Sequence, residues 1–177
     1  ARKVSLLLQK PASQRLEITQ GNGRITMVVN EKEGFMVREN LGTGDKQTTS
    51  LPLEQVRLFK ANASENLNFF QFSPRSQVRT KYRGEQEFRG QTVDVVRYIH
   101  PHGIVFLRYF DPETGRLVAT ESDGGTINIE EGFMEVGGIR FSDKILAYES
   151  DELVHTIQFE RIDVNPDLPE WVFDFPE

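Results

Sequence analysis

Apolar and polar residues alternate through most of this chain, with a period close to two, and that period defines strands. Arg15-Leu16-Glu17-Ile18-Thr19 alternates strictly and reads as a half-buried strand. Ile25, Met27 and Val29 share one face of the next run, and Phe35 to Glu39 forms another. A short apolar run, Val4 to Gln9, precedes them and ends at the turn signal Lys10-Pro11-Ala12-Ser13. Gly21-Asn22-Gly23 and Glu31-Lys32-Glu33-Gly34 separate the others. A strand about every 10 residues between such turns is the rhythm of an antiparallel meander.

The period changes once. Leu53, Val56, Phe59, Ala63, Leu67 and Phe70 recur at steps of three and four, which predicts an amphipathic helix. Residues 41–50 are polar and Gly-containing, so a loop is expected there, with Ser50 as the helix cap and Pro52 in the first turn. Ser73-Pro74 is the expected stop. Strand patterns then return: Val78 to Tyr82; Gly84 to Phe88 and Thr92 to His100, as a hairpin or as one bulged strand around Gly90; then Ile127 to Val136, Ile139 to Tyr148 and Leu153 to Val164. The best-formed hairpin spans 103–119, where Ile104–Phe110 meets the turn Asp111-Pro112-Glu113-Thr114-Gly115. Its first arm is apolar on both sides, with Ile104, Phe106 and Phe110 one way and Val105, Leu107 and Tyr109 the other. A sheet with two apolar faces needs two covers. Gly84, Gly90, Gly132, Gly137 and Gly138 stand where a bent sheet places bulges and kinks. The expected architecture is mainly β (α+β): a curved antiparallel sheet forming an open half-barrel with a helical lid, in a single domain over 1–177. The apolar tail Trp171, Phe173 and Phe175 is expected to pack back onto the sheet.

Composition narrows the function more than the fold. The net charge of −6, with cations scattered among acids, argues against nonspecific nucleic-acid binding, which needs clustered Lys and Arg. With no cysteine, disulfides, thiolate chemistry and Cys-based metal sites are excluded. No run approaches the ~18 apolar residues of a membrane-spanning helix.

Candidate chemistry is sparse. His100-Pro101-His102 pairs two imidazoles, but a metal site needs at least a third ligand and none is adjacent. Gly42-Thr43-Gly44-Asp45-Lys46 fails as a phosphate loop, because Asp45 puts an acid where phosphate would sit. No Gly-x-Ser-x-Gly elbow and no His-Glu-x-x-His occurs. Phe69, Phe70 and Phe72 suit a core as well as a ligand pocket. No catalytic residue, metal or cofactor is expected.

Four segments together resemble a known family. Tyr109-Phe110-Asp111-Pro112-Glu113-Thr114-Gly115-Arg116-Leu117 resembles the "yFD-x-x-TG-L" hairpin of bacterial lipoprotein-carrier and outer-membrane lipoprotein-sorting proteins, the LolA/LolB-like superfamily. Tyr82 to Val93 is similar to the strand pair that precedes it there, and Gly138-Ile139-Arg140-Phe141-Ser142-Asp143-Lys144-Ile145 to a later strand, with Ser142 in place of a usual Pro. Asp163 to Leu168 with Phe173-Asp174-Phe175-Pro176 resembles the family's closing segment. The resemblance covers 76–176. It implies an open β-barrel with a helical lid over an apolar cavity, a periplasmic or cell-envelope location, and a lipid, acyl-chain or lipoprotein partner. On that reading the protein is a non-enzymatic carrier, monomeric, and peripheral to or lipid-anchored at a membrane. Its cavity wall is Ile25, Met27, Val29, Phe35, Val37, Phe106, Ile129 and Phe133, with Val56, Phe59 and Phe70 from the lid. The competing expectation is a structural or protein-interaction module whose barrel is filled by its own side chains.

Overall fold

The structure, a computed structural model, describes residues 2–175. The chain divides into two compact units, Ala1–Pro74 with Asp167–Glu177, and Arg75–Pro166. The protein is mainly β, with open antiparallel sheets, no closed barrel, and a single α-helix among the described residues.

The first unit carries β1 (Arg2–Gln9), β2 (Ser13–Gln20), β3 (Gly23–Val29), β4 (Gly34–Asn40) and β5 (Lys46–Ser50), paired in that order, followed by α1 (Leu53–Leu67). β5 lies in the expected loop. Its polar Lys-Gln-Thr-Thr-Ser sequence has no apolar alternation, yet pairing with β4, from Phe35 opposite Ser50 to Glu39 opposite Lys46, satisfies that strand's outer backbone groups. Ser50 therefore ends a strand and is not the helix cap; Pro52 occupies that position without a side-chain bond.

Side chains on opposite sheet faces have different covers. Leu16 lies opposite Met27, which lies opposite Met36, and this face receives α1. Val28 lies opposite Phe35 on the other face, which is buried by Val172 and Phe173 of the C-terminal segment. Neighbouring Val28 and Val29 are each 0% exposed, so the end of β3 is covered on both sides. The Arg15 guanidinium donates to the Val172 carbonyl (3.2 Å) and the Asn30 amide to that of Phe173 (3.0 Å). The tail thus packs back, as its apolar residues predict, although Trp171 remains 65% exposed. Further along that face Arg24 pairs with Glu39, which holds the carboxyl below its ordinary range.

The second unit holds β6 (Arg79–Phe88), β7 (Gln91–Ile99), β8 (Val105–Phe110), β9 (Leu117–Ser122), β10 (Thr126–Glu131), β13 (Lys144–Glu149) and β14 (Glu152–Gln158) in one sheet of order β14-β13-β10-β9-β8-β7-β6. β11 (Met134–Val136) and β12 (Ile139–Phe141) form a separate hairpin around Gly137 and Gly138, both at positive φ. The apolar runs 127–136 and 139–148 are therefore each broken in two. The break between β10 and β11 falls at Gly132, at φ 60°, where an added Cβ would lie 2.1 Å from a carboxylate oxygen of Asp143. β14 stops at Gln158, short of the expected Val164.

The hairpin of 103–119 supplies β8 and the central strand β9. The Asp111 carboxylate accepts from the backbone N–H groups of Glu113 (3.0 Å) and Thr114 (2.8 Å) and from the Thr114 hydroxyl (2.9 Å). These bonds favour the charged form and lower its pKa. The sheet is strongly curved. β7 and β13 are four strand positions apart, about 19 Å in a flat sheet. Yet Phe88, at the end of β6, stacks on Tyr109 at 4.8 Å, and Arg89 in the following turn lies 4.1 Å over the Tyr148 ring of β13. A bulge between Tyr82 and Gly84, with Gly84 at φ 93°, bends the hairpin over this face. Val93, Val95, Tyr109, Ala119 and Ile129 form the core beneath it.

Two outcomes follow. Gly34 faces α1 so closely that an added Cβ would lie 2.6 Å from Val56 Cγ2; Gly34→Ala is expected to cost about 1–3 kcal/mol, read by denaturant unfolding. Because the folded pKa of Asp111 is depressed, its stabilisation is present above the ordinary aspartate value and is lost as pH falls through the folded one. The melting temperature of Asp111→Asn should therefore lie below that of the wild type at pH 6, and the gap should close below pH 4, roughly the ordinary aspartate range.

Candidate apolar ligand site

The apolar surface with a helix as its cover lies in the first unit. Three strands contribute to it through their registers: Val4 opposite Ile18 opposite Ile25, and Leu6 opposite Leu16 opposite Met27. Strand alternation puts all of these on the face that receives α1. At one end the packing is closed: Val29, Leu51 and Val56 form a buried cluster, with Met27, Met36 and Phe59 against it. Towards β1 the same face opens, and Val4 and Leu6 are 44% and 43% exposed. Leu16, Ile18 and Ile25 between them are half-buried.

Val56, Phe59 and Ala63 lie at i, i+3 and i+7 along α1, which aligns them on one stripe. Ala61 and Glu65 are buried as well, so α1 is enclosed on more than one side. Leu53 and Leu58 remain exposed. Gln14, across from Val29, is buried, and its Oε1 has no hydrogen-bond partner among the described residues.

The helix ends earlier than the apolar stripe. The Phe70 N–H donates to Glu65 O (2.8 Å) and the Phe69 N–H to Asn66 O (3.1 Å), a Schellman closure. Phe69 and Phe70 have φ of 49° and 60°, a left-handed conformation normally given to glycine. The Asn68 amide donates to the Ser64 carbonyl (2.8 Å), and the three-asparagine run 62–68 competes with a further helical turn. Phe70 therefore follows the helix instead of lying on its stripe.

The eleven predicted wall residues do not form one surface. Ile25, Met27, Val29, Val56 and Phe59 come together under α1. Phe35 and Val37, paired with Val28 and Thr26, face the other way, against the C-terminal segment. Phe106, Ile129 and Phe133 belong to the second unit. There Phe106 and Ile129 point to opposite faces, since Phe106 is partnered by Ser122 whereas Ile129 is partnered by Ala119, opposite Tyr109. Phe133 is exposed, between the Arg116 and Arg140 guanidinium groups at 5.7 and 4.7 Å. Sequence reasoning missed Val4, Leu6, Leu16 and Ile18. Alternation marks Leu16 and Ile18 as one face of a strand, but only the register joins them to Met27 and Ile25. His100 is buried with its ring 5.9 Å from Phe106, while His102 is exposed at φ 65°. Among the described residues no group of three or more potential metal ligands occurs.

The class defined so far is an open antiparallel β-fold with one covering helix. No family model matches the chain, and no curated protein matches it. Solved structures do. A DUF1329 family protein from Desulfovibrio piger aligns with TM-score 0.52 and 7% identity, over 84% of this chain and 69% of that one. A LolA superfamily protein from Nitrosomonas europaea aligns with TM-score 0.49 and 13% identity, over 97% and 87%. A Vibrio parahaemolyticus domain provisionally named for outer membrane lipoprotein sorting aligns with TM-score 0.42 and 12% identity, over 93% and 86%. The Nitrosomonas protein carries the name of the superfamily that segments of 76–176 resemble. The likeness to the Desulfovibrio protein is one of fold.

Replacing Gln14 with Leu removes a buried acceptor without a partner while nearly keeping the volume. The variant is expected to be more stable by about 1 kcal/mol, measured as a shift of the denaturation midpoint at unchanged slope.

Proposed function

We propose that this protein is a non-catalytic, extracytoplasmic lipid- or lipoprotein-binding protein, and that its ligand's acyl chain lies on the sheet face beside and beneath α1. The carrying observation is the continuous apolar strip from Val29 and Met27 through Leu16 and Ile18 to exposed Val4 and Leu6, with α1 as its cover. An acyl chain moving from water onto such a strip gains about 0.8 kcal/mol per CH₂ buried. The charge of −6 and the failed catalytic motifs support a binding role over chemistry or nucleic-acid contact. A cell-envelope setting fits the names printed for two structural neighbours, and the proposal takes the chain as monomeric and peripheral to the membrane or anchored to it. Across the whole chain, the domain acts as one carrier-like module.

A second reading has its own support. Gly34, Val29, Leu51 and Val56 pack so tightly that this end of the site is filled by the chain itself. A module built only for rigidity or protein contact would extend that packing along the strip.

Titration of the delipidated full chain with a fluorescent fatty-acid methyl ester, an acyl chain with no charged head, decides between them. Saturable uptake is expected, weakened at least tenfold by Leu16→Glu and unchanged by Leu153→Gln on β14 of the second unit. Absence of saturable uptake favours the self-filled module and overturns the carrier reading.

A further inference from the structure

The second unit contains a groove of about 320 Å³ that is separate from the site under α1. Val95, Val105 and Leu107 form its floor, and Arg83, Arg97, Gln86 and Asp123 its rim. The arrangement of cations around it is unusual for a chain of net negative charge. Lys81 and Arg97 are directly opposite each other on β6 and β7, a cross-strand pair of like charge that costs stability. Arg79, opposite Ile99, is on the same side of β6 as Lys81. Arg83 is the extra residue of the bulge between Tyr82 and Gly84, and the bulge turns its side chain into the groove.

None of these four cations has a carboxylate within 4.0 Å among the described residues. The nearby acids are otherwise placed. Glu121, opposite Leu107, accepts a hydrogen bond from the Tyr109 hydroxyl (2.7 Å), and Asp123 stands alone on the rim. Glu85 pairs with Asp94 in register, and the strand pleat sends both to the other face from Val93 and Val95.

We propose that this groove binds an anionic single-chain amphiphile: Arg83 and Arg97, backed by Lys81, hold a phosphate or carboxylate head, and the alkyl chain lies on Val95, Val105 and Leu107. Charge complementarity selects the head. An anion relieves the Lys81–Arg97 repulsion, and a guanidinium meets phosphate or carboxylate through two parallel hydrogen bonds. The apolar floor selects the chain, because a free inorganic anion would leave it in contact with water. The volume is at the small end of ligand pockets and fits one chain rather than a diacyl lipid.

Calorimetric titration of the full-length Leu16→Glu chain, in which the site under α1 is disabled, with dodecyl phosphate and with dodecanoate, each below its micelle concentration, tests this directly. One saturable site is expected, and the tighter of the two ligands identifies the head. Dodecanol should bind at least tenfold more weakly. Arg83→Gln and Arg97→Gln should each weaken binding at least tenfold. Without ligand, Arg97→Gln should melt at or above the wild-type temperature, because it removes a like-charge contact. Methyl NMR should place the perturbations on Val95, Val105 and Leu107. Affinities of the Arg83→Gln and Arg97→Gln forms within twofold of the parent chain, equal affinity for dodecanol, or perturbations centred on Ile18 and Ile25 would each overturn the proposal. So would binding to phosphatidylglycerol vesicles with no saturable binding of the free amphiphiles, which would make the cations a membrane-surface patch. Failure of acyl-ester uptake at the site under α1 leaves these outcomes unaffected, since that site is disabled in the titrated chain and the groove variants lie in the second unit.

Discussion

Burial of β3 on both faces is the constraint on which the first unit depends. Val28 and Val29 are adjacent, point in opposite directions, and are both removed from water. A strand of this kind cannot exist at the surface of a one-layer sheet, because leaving either face open would forfeit roughly 1.5–3 kcal/mol per large side chain. Two unrelated pieces of chain meet the demand: α1 on one side and Val172–Phe173 on the other. Neither cover is extensive. The site under α1 is the part of the apolar face that the helix leaves accessible, so the requirement that builds the core also leaves the candidate ligand surface.

Charge is used differently in the two units. Around the first unit's sheet it is paired: Arg24 lies between Glu17 and Glu39, and Lys46 is near Glu39 as well. Exposed pairs of this type add little to stability individually but leave no net field. Among the described residues the cations on β6 and β7 lack such partners, and a bulge directs one of them over an apolar floor. Glu130 shows the opposite adjustment, since burial raises its pKa against the bond from Ser142 and the charge of Arg108.

Strand existence was legible where alternation was strict, as in 15–19, and where turn chemistry was strong, as at Asp111–Gly115 and Gly137-Gly138. The helix was legible from Val56, Phe59 and Ala63. Its end was not, because Phe70 continues the apolar period while the backbone at Phe69 has already reversed hand; a stripe reports spacing and not dihedral angles. β5 was hidden because its Lys-Gln-Thr-Thr-Ser run is held by hydrogen bonds to β4, which leave no hydrophobic signature. The site was only partly legible for a related reason. Ile25, Met27 and Val29 share a parity within one strand, but Phe35 and Val37 were assigned to the same wall without a register. A shift of one residue in pairing moves every side chain to the other face.

The C-terminal segment has a consequence for how the chain is made. Arg15 and Val172 bond across 157 residues, and the whole second unit is strung between the two parts of the first. During synthesis, β1 to β5 and α1 emerge long before the residues that shield Val28 and Phe35. Until then that face is open to other chains, at a stage when no local contact can close it. Non-local closure of this kind is slow. The segment of Val172 and Phe173 therefore sets when, as well as whether, the first unit reaches its native form, and a chain lacking it would present an adhesive sheet in place of a finished one.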